Sequence, residues 1–282
     1  MKVVSYIRLL RPVQWLKNLI IFFPPFLGGA MLQDGLLIKG ALPFLSFCLC
    51  SSASYIMNDI LDAEHDTHHK TKKKRPIASG KVSITCASIL GICLVVSGIL
   101  IALFISRQFL LLLVCYLLVS ALYSMRLKAF PVIDIFCIAL GFLFRLQAGG
   151  EAFGIVISEW LFLSVFLLAL LLGTGKRLSE KTILGADAGN HRKSLLHYPD
   201  GYLDGIMHMT GGAVLVTYTM YVITRHALLY TVPLCTFGLM RYTYLVKTGE
   251  GGDPTESLVK DKVLFAVGFL WAVMVACGIY GR

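Results

Sequence analysis

Charge is scarce in this sequence. Only 15% of its 282 residues are Asp, Glu, Lys or Arg, whereas 57% are hydrophobic. A water-soluble domain of this length needs a far more charged surface, so that class is excluded and lipid is the natural solvent. Acidic residues are the rarer sign, 16 against 26 Lys and Arg, and the formal net charge is +10. The cations sit in short stretches between apolar runs, so topology and anionic ligands explain them better than nucleic acid does. Cysteine supplies no metal set. The eight cysteines stand inside apolar runs, and the C-x-C of Cys48 and Cys50 has no second pair, so they read as small hydrophobes. His65, His68 and His69 lack an i, i+4 pair with a third ligand, which argues against zinc. No internal repeat or low-complexity linker breaks the chain, and 1–282 reads as one domain. No cleavable leader is expected. The first apolar stretch is broken by Pro24-Pro25 and ends without a small-residue cleavage site.

What is present is a series of apolar runs near the spanning length of about 17–25 residues. They fall near 18–33, 41–57, 84–106, 109–125, 132–150, 159–175, 207–224, 228–246 and 263–281. The expected fold is therefore an all-α polytopic membrane protein with about nine transmembrane helices. Residues 1–17 ahead of them are expected at the interface, with an amphipathic helix over 3–16 and Trp15 at headgroup level. Lys and Arg concentrate in alternate segments, at 70–81, 126–128, 176–193 and 247–262. The other side carries only Lys39, Arg107, Arg225 and Arg282. The positive-inside rule places the N-terminus and the longer polar loops in the cytoplasm, and the chemistry is expected there.

The second run ends in S-Y-I-M-N-D-I-L-D-A-E-H-D. On a continuous helix with Asp59 at zero, Asn58 falls at about −100°, Asp62 at about −60° and Asp66 at about −20°. Glu64 points elsewhere, at about 140°. Three carboxylates on one face repel one another unless a cation lies among them. Hard oxygen donors at a membrane rim suit Mg²⁺, which keeps waters and shares its sphere with substrate phosphates. The following K-T-K-K-K-R-P reads first as topological anchoring, with a positive potential for anions as a second effect.

Basic groups recur at the same expected depth. The sixth run ends L-G-T-G-K-R-L-S-E, which brings Lys176, Arg177 and Glu180 to the rim, and Arg192-Lys193 follow. Y-S-M-R-L-K adds Tyr123, Arg126 and Lys128. Each set alone could be side chains snorkelling to headgroups, and their expected convergence with an acidic face favours anion binding. Arg145 lies well inside the fifth run. An intramembrane Arg needs a partner or a polar cavity. Asp134 is about 16 Å away along the helix axis, too far to pair, so a cavity holding an anion is the expectation.

These residues resemble the UbiA-type superfamily of intramembrane prenyltransferases, whose first signature stands here as Asn58, Asp59, Asp62 and Asp66. Within it the chain is similar to the decaprenyl-phosphate phosphoribosyltransferase branch. The matching stretches are R-P-x-Q-W-x-K-N at 11–18, K-R-P-I-A-S-G at 74–80, Y-S-x-x-L-K at 123–128 and F-R-x-x-A-G-G at 144–150. G-K-R-x-x-E at 175–180, R-K-S-L at 192–195 and G-D-P-T-E at 252–256 complete them. In one respect it departs from the aromatic prenyltransferases. They carry a second aspartate-rich motif where this chain has Lys176, Arg177 and Glu180. A Lys-Arg pair suits substrates with more phosphate than metals neutralise, as phosphoribosyl pyrophosphate and a polyprenyl phosphate are.

The resemblance implies helices around a cytoplasm-facing polar cavity in a bacterial-type cell membrane. It implies Mg²⁺-dependent transfer of phosphoribose from phosphoribosyl pyrophosphate to a decaprenyl-type polyprenyl phosphate, releasing pyrophosphate. Asp59, Asp62 and Asp66 are the expected catalytic carboxylates and, with Asn58, the Mg²⁺ ligands. Substrate contacts are expected from Lys17, Asn58, Tyr123, Lys128, Arg145, Lys176, Arg177, Glu180, Arg192 and Lys193. Self-association into a homo-oligomer is left open. The competing readings are an aromatic prenyltransferase of quinone synthesis and an anion transporter. Against the transporter, the charges gather at one rim and the two halves show no repeat.

Overall fold

The computed structural model describes residues 2–67, 72–184 and 193–281. Every regular element among them is helical. In chain order these are α1 (Lys2–Leu10), a 3₁₀-helix (Pro12–Phe22), α2 (Phe23–Leu27), α3 (Leu36–Leu61), α4 (Ala63–Thr67), α5 (Ile84–Leu103) and α6 (Arg107–Met125). There follow α7 (Ile133–Phe153), α8 (Glu159–Leu184), α9 (Lys193–Leu196), α10 (Tyr202–Ile223), α11 (Val232–Lys247), α12 (Pro254–Lys260) and α13 (Lys262–Tyr280).

Among the described residues seven helices, α3, α5, α6, α7, α8, α10 and α13, are long and apolar enough to cross a membrane. Two of the nine expected runs differ. The run near 18–33 divides between the 3₁₀-helix and the five-residue α2, because Pro24 and Pro25 interrupt regular α-helical bonding. The run near 228–246 begins as a 3₁₀ turn, His226–Thr231, and only then enters the sixteen-residue α11, which has Pro233 in its first turn. At 1.5 Å per residue α11 covers about 24 Å, short of a hydrocarbon core of about 30 Å. The amphipathic helix expected over 3–16 also breaks, at Arg11, whose φ is +52°. A residue before proline is disfavoured in the α region, and Pro12 follows.

The chain divides into two compact units. The first comprises 1–24, 32–128 and 144–155. Its main helix pair is α3 against α5. Ser46 donates to the Gly98 carbonyl at 2.8 Å, and a Cβ on Gly98 would stand 2.4 Å from Cys50 Sγ. Small and hydroxylated residues are what let two apolar helices approach this closely. The 3₁₀-helix lies against the same unit's part of α7, where a Cβ on Gly149 would meet the Ile21 carbonyl oxygen at 2.2 Å. Around α3, Leu9, Ile56, Ile77, Val82 and Ala87 form a buried cluster.

The second unit comprises 25–31, 129–143 and 156–282. Here α8 packs along α10, with Ile135, Leu171, Leu178, Leu203, Met207 and Tyr242 buried together. Tyr280 on α13 ties the segment after Pro25 by accepting from Met31 N at 3.1 Å and donating to the Phe26 carbonyl at 2.7 Å. Open apolar side chains such as Phe269 on α13, like Ile92 on α5 in the first unit, are what a lipid-facing helix presents.

Candidate active site

In the first unit the acidic motif is organised by two Arg-Pro dipeptides. Asp59, in the last turn of α3, is 2% exposed. Arg11 reaches its Oδ1 at 2.5 Å and Arg75 reaches the same oxygen at 3.0 Å. Arg75 also bonds Asp66 Oδ2 at 2.6 Å, so one guanidinium nitrogen stands between two buried carboxylates. The backbone fixes both arginines. The left-handed Arg11 turns the chain between α1 and the 3₁₀-helix, and its guanidinium lies 5.0 Å from the Tyr55 ring. Arg75 sits on a loop held by bonds from Ser79 N to the Arg75 carbonyl and from Val82 N to the Pro76 carbonyl. Ile77 and Val82 anchor that loop in the core.

The single face expected for Asn58 to Asp66 is interrupted. α3 ends at Leu61, Asp62 takes a non-helical ψ near 0°, and α4 restarts at Ala63. Asp62 consequently makes a separate group, with Lys128 at 2.5 Å from its Oδ1 and Asn58 donating to its Oδ2 at 3.1 Å. Lys128 also bonds Asn58 Oδ1 at 3.3 Å. Among the described residues no three His, Cys, Asp or Glu side chains are grouped closely enough to hold a metal. Asp59 and Asp66 instead converge on one cationic nitrogen, that of Arg75.

Arg145 is 5% exposed, and Asn18 and Tyr116 are among its partners. Its Nε donates to Asn18 Oδ1 at 2.6 Å and its Nη2 to Tyr116 at 3.0 Å, with the guanidinium 4.5 Å from the Tyr116 ring. Asn18 passes the network on to Cys48 and Ser51. These bonds and the aromatic face account for its burial. The bonds of Arg145 and Asn18 join the 3₁₀-helix, α3, α6 and α7 within this unit. Lys17, on the 3₁₀-helix, and Tyr123, on α6, are half-buried.

In the second unit the expected phosphate-binding residues meet protein partners. Arg177 is 1% exposed, with Nε 2.6 Å from Asp134 Oδ2 and Nη1 2.7 Å from Glu180. Asp134 is fully buried and accepts a further bond from Tyr198 at 2.8 Å. Burial is the main cause that pushes the Tyr198 phenol well above its usual range. The same hydroxyl accepts Val132 N at 2.6 Å. Val132 has φ +66°, a region that β-branched residues rarely enter, so Tyr198 holds a strained turn. Arg177 therefore joins Asp134 and Glu180 in one ion-pair network. Lys176 remains one-third exposed and pairs with Asp253 at 2.9 Å. Lys181 bonds the Tyr198 carbonyl and Asp200, and that ammonium holds the Asp200 carboxyl below the usual carboxylate range. Lys193 opens α9, and Arg192 lies outside the described residues.

Reasoning along the sequence missed Arg11, Arg75, Asp134, Tyr198 and Asp253 as partners. One signal was available for the first two. Each precedes a proline, which restricts its backbone and fixes the direction of its side chain.

The comparisons agree with this architecture. The model of the UbiA prenyltransferase family matches residues 22–273. A decaprenyl-phosphate phosphoribosyltransferase of Corynebacterium glutamicum is 33% identical over 97% of this chain and 86% of its own. Its namesake in Mycolicibacterium smegmatis is 31% identical over 97% of this chain and 92% of its own. Among solved structures, a UbiA homolog from Archaeoglobus fulgidus bound to DMAPP and Mg²⁺ shares the fold, with a TM-score of 0.75 at 22% identity over 97% of each chain. With a family match over nearly nine-tenths of its length and near-full-length relatives above 30% identity, this chain belongs to the UbiA prenyltransferase family.

Proposed function

We propose that this protein transfers phosphoribose from phosphoribosyl pyrophosphate to a polyprenyl phosphate and releases pyrophosphate. The near-full-length similarity to two relatives named for decaprenyl-phosphate phosphoribosyl transfer supports the reaction class. The observation that carries the chemistry is the set Asp59, Asp66, Arg11 and Arg75, two carboxylates against two guanidinium groups. That set is neutral as it stands. Mg²⁺ held there would add two positive charges, which a diphosphate would offset. The polybasic alternate segments support a cytoplasmic N-terminus and cytoplasmic chemistry.

Asp59 and Asp66 would hold the metal, with Asp62 and Asn58 beside them. Bound Mg²⁺ supplies charge against the negative charge that develops on the departing diphosphate. Arg11 and Arg75, released from the carboxylates, grip diphosphate oxygens through charge-assisted bonds. A lone pair on the acceptor phosphate oxygen forms the new bond to ribose C1, and the C1–O bond to diphosphate breaks with its electron pair leaving on pyrophosphate. The acceptor is already ionised, so no general base is needed, and catalysis is positioning and electrostatics.

Purified protein given radiolabelled phosphoribosyl pyrophosphate, polyprenyl phosphate and Mg²⁺ is expected to move label into lipid. Asp59→Asn is expected to abolish this while keeping the folded protein. Prenyl transfer to an aromatic acid without transfer of phosphoribose would refute the proposal.

A further inference from the structure

The two cations that end α8 are held differently. Arg177 is buried against two carboxylates, whereas Lys176 is 34% exposed and faces one, Asp253. Asp253 is itself fixed. As the N-cap of α12 its Oδ1 accepts Thr255 N at 3.1 Å, and its Oδ2 takes the Lys176 ammonium. The two glycines before it permit this placement. A Cβ on Gly251 would stand 2.9 Å from Leu245 Cβ, and one on Gly252 would stand 2.8 Å from Ser179 Oγ. Ser179 donates to the Gly251 carbonyl. Lys176 and Ser179 are three residues apart and share a face of α8. The 251–253 segment is thus fastened at one turn of the helix and presents its carboxylate at the turn before.

We infer that Asp253 is a positioning residue that orients Lys176 to receive a substrate phosphate. A lysine ammonium carries three donors. One goes to Asp253, and the exposed side of the amine is where a phosphate oxygen meets it. A flexible four-carbon stem would otherwise have to be ordered when the anion arrives, and the bond to Asp253 orders it beforehand. The inference rests on the phosphate-transfer reading and deepens it by naming how one cation is aimed. The phosphate belongs to the soluble donor or to the lipid acceptor, and the test separates them.

The test uses the full-length protein with Asp253→Asn. Asparagine keeps the size and the helix cap but removes the charge. KM and kcat are measured for phosphoribosyl pyrophosphate and for polyprenyl phosphate, together with apparent Tm and binding of inorganic pyrophosphate. The expected result is an unchanged Tm, a kcat little changed, and a KM raised about tenfold for one of the two substrates, the loss of one charge-assisted contact. The substrate that responds identifies the phosphate. Lys176→Ala raises the same KM, and the double variant is no worse than Lys176→Ala alone. If Asp253→Asn does not fold, Asp253→Ser, which also keeps the cap without charge, takes its place. Unchanged KM values for both substrates, or additive effects in the double variant, overturn the inference. A wild type that transfers no phosphoribose refutes the functional reading instead. Pyrophosphate binding then decides: weakening by Asp253→Asn upholds the positioning role, and unaltered or absent binding overturns it.

Discussion

Replacing Arg177 by alanine removes the cation that balances Asp134, a carboxylate with no exposed surface. Asp134 Oδ2 loses its 2.6 Å partner, Oδ1 keeps its bond from Tyr198, and Glu180 loses its contact at 2.7 Å. Removing one member of a buried ion pair costs about 3–5 kcal/mol, because the other is left charged in a poorly solvating place. Arg177→Ala is therefore expected to lower the apparent Tm of the detergent-solubilised protein by several degrees and to shorten its half-life on heating. Asp134→Asn with Arg177→Met removes both charges at similar volume and is expected to recover most of that loss. The assay is thermal unfolding of the wild type, both single variants and the double variant. A phosphate-binding Arg177 behaves in the opposite way, with an unchanged Tm and a weakened donor affinity in the alanine variant. That outcome, with additive single effects, would refute the ion-pair account.

Arg75→Ala should weaken pyrophosphate or donor affinity about tenfold to a hundredfold, the loss of a charge-assisted contact worth about 1.5–3 kcal/mol; calorimetry with unchanged affinity would count against its phosphate role. Tyr198→Phe removes the acceptor for Val132 N and a donor to Asp134, so amide exchange at 130–134 should accelerate and apparent Tm should fall, whereas unaltered exchange would show that the turn holds without it. Cysteines placed at Lys73 and Lys81, both exposed, should react with reagent only from the cytoplasmic side; labelling from outside intact cells would reverse the orientation.

Composition and residue order alone set the solvent and the chemistry on offer. A chain with so few charges and repeated apolar runs has to satisfy its backbone within helices in lipid, and that follows from local composition alone. The order N-D-x-x-D-x-x-x-D likewise announced hard oxygen donors at a helix end, and the comparisons agree with the family it suggested. Helix ends were less legible. The stop at Leu61 and the 3₁₀ course of Pro12–Phe22 depend on what each segment packs against, and periodicity carries no such information. Which cation meets which carboxylate is a property of the folded chain. Arg11 finds Asp59 across 48 residues, Arg177 finds Asp134 across 43 and Lys176 finds Asp253 across 77. Opposite charges attract without regard to sequence order, so partners are chosen by where folding brings them, and burial makes each pairing costly to exchange.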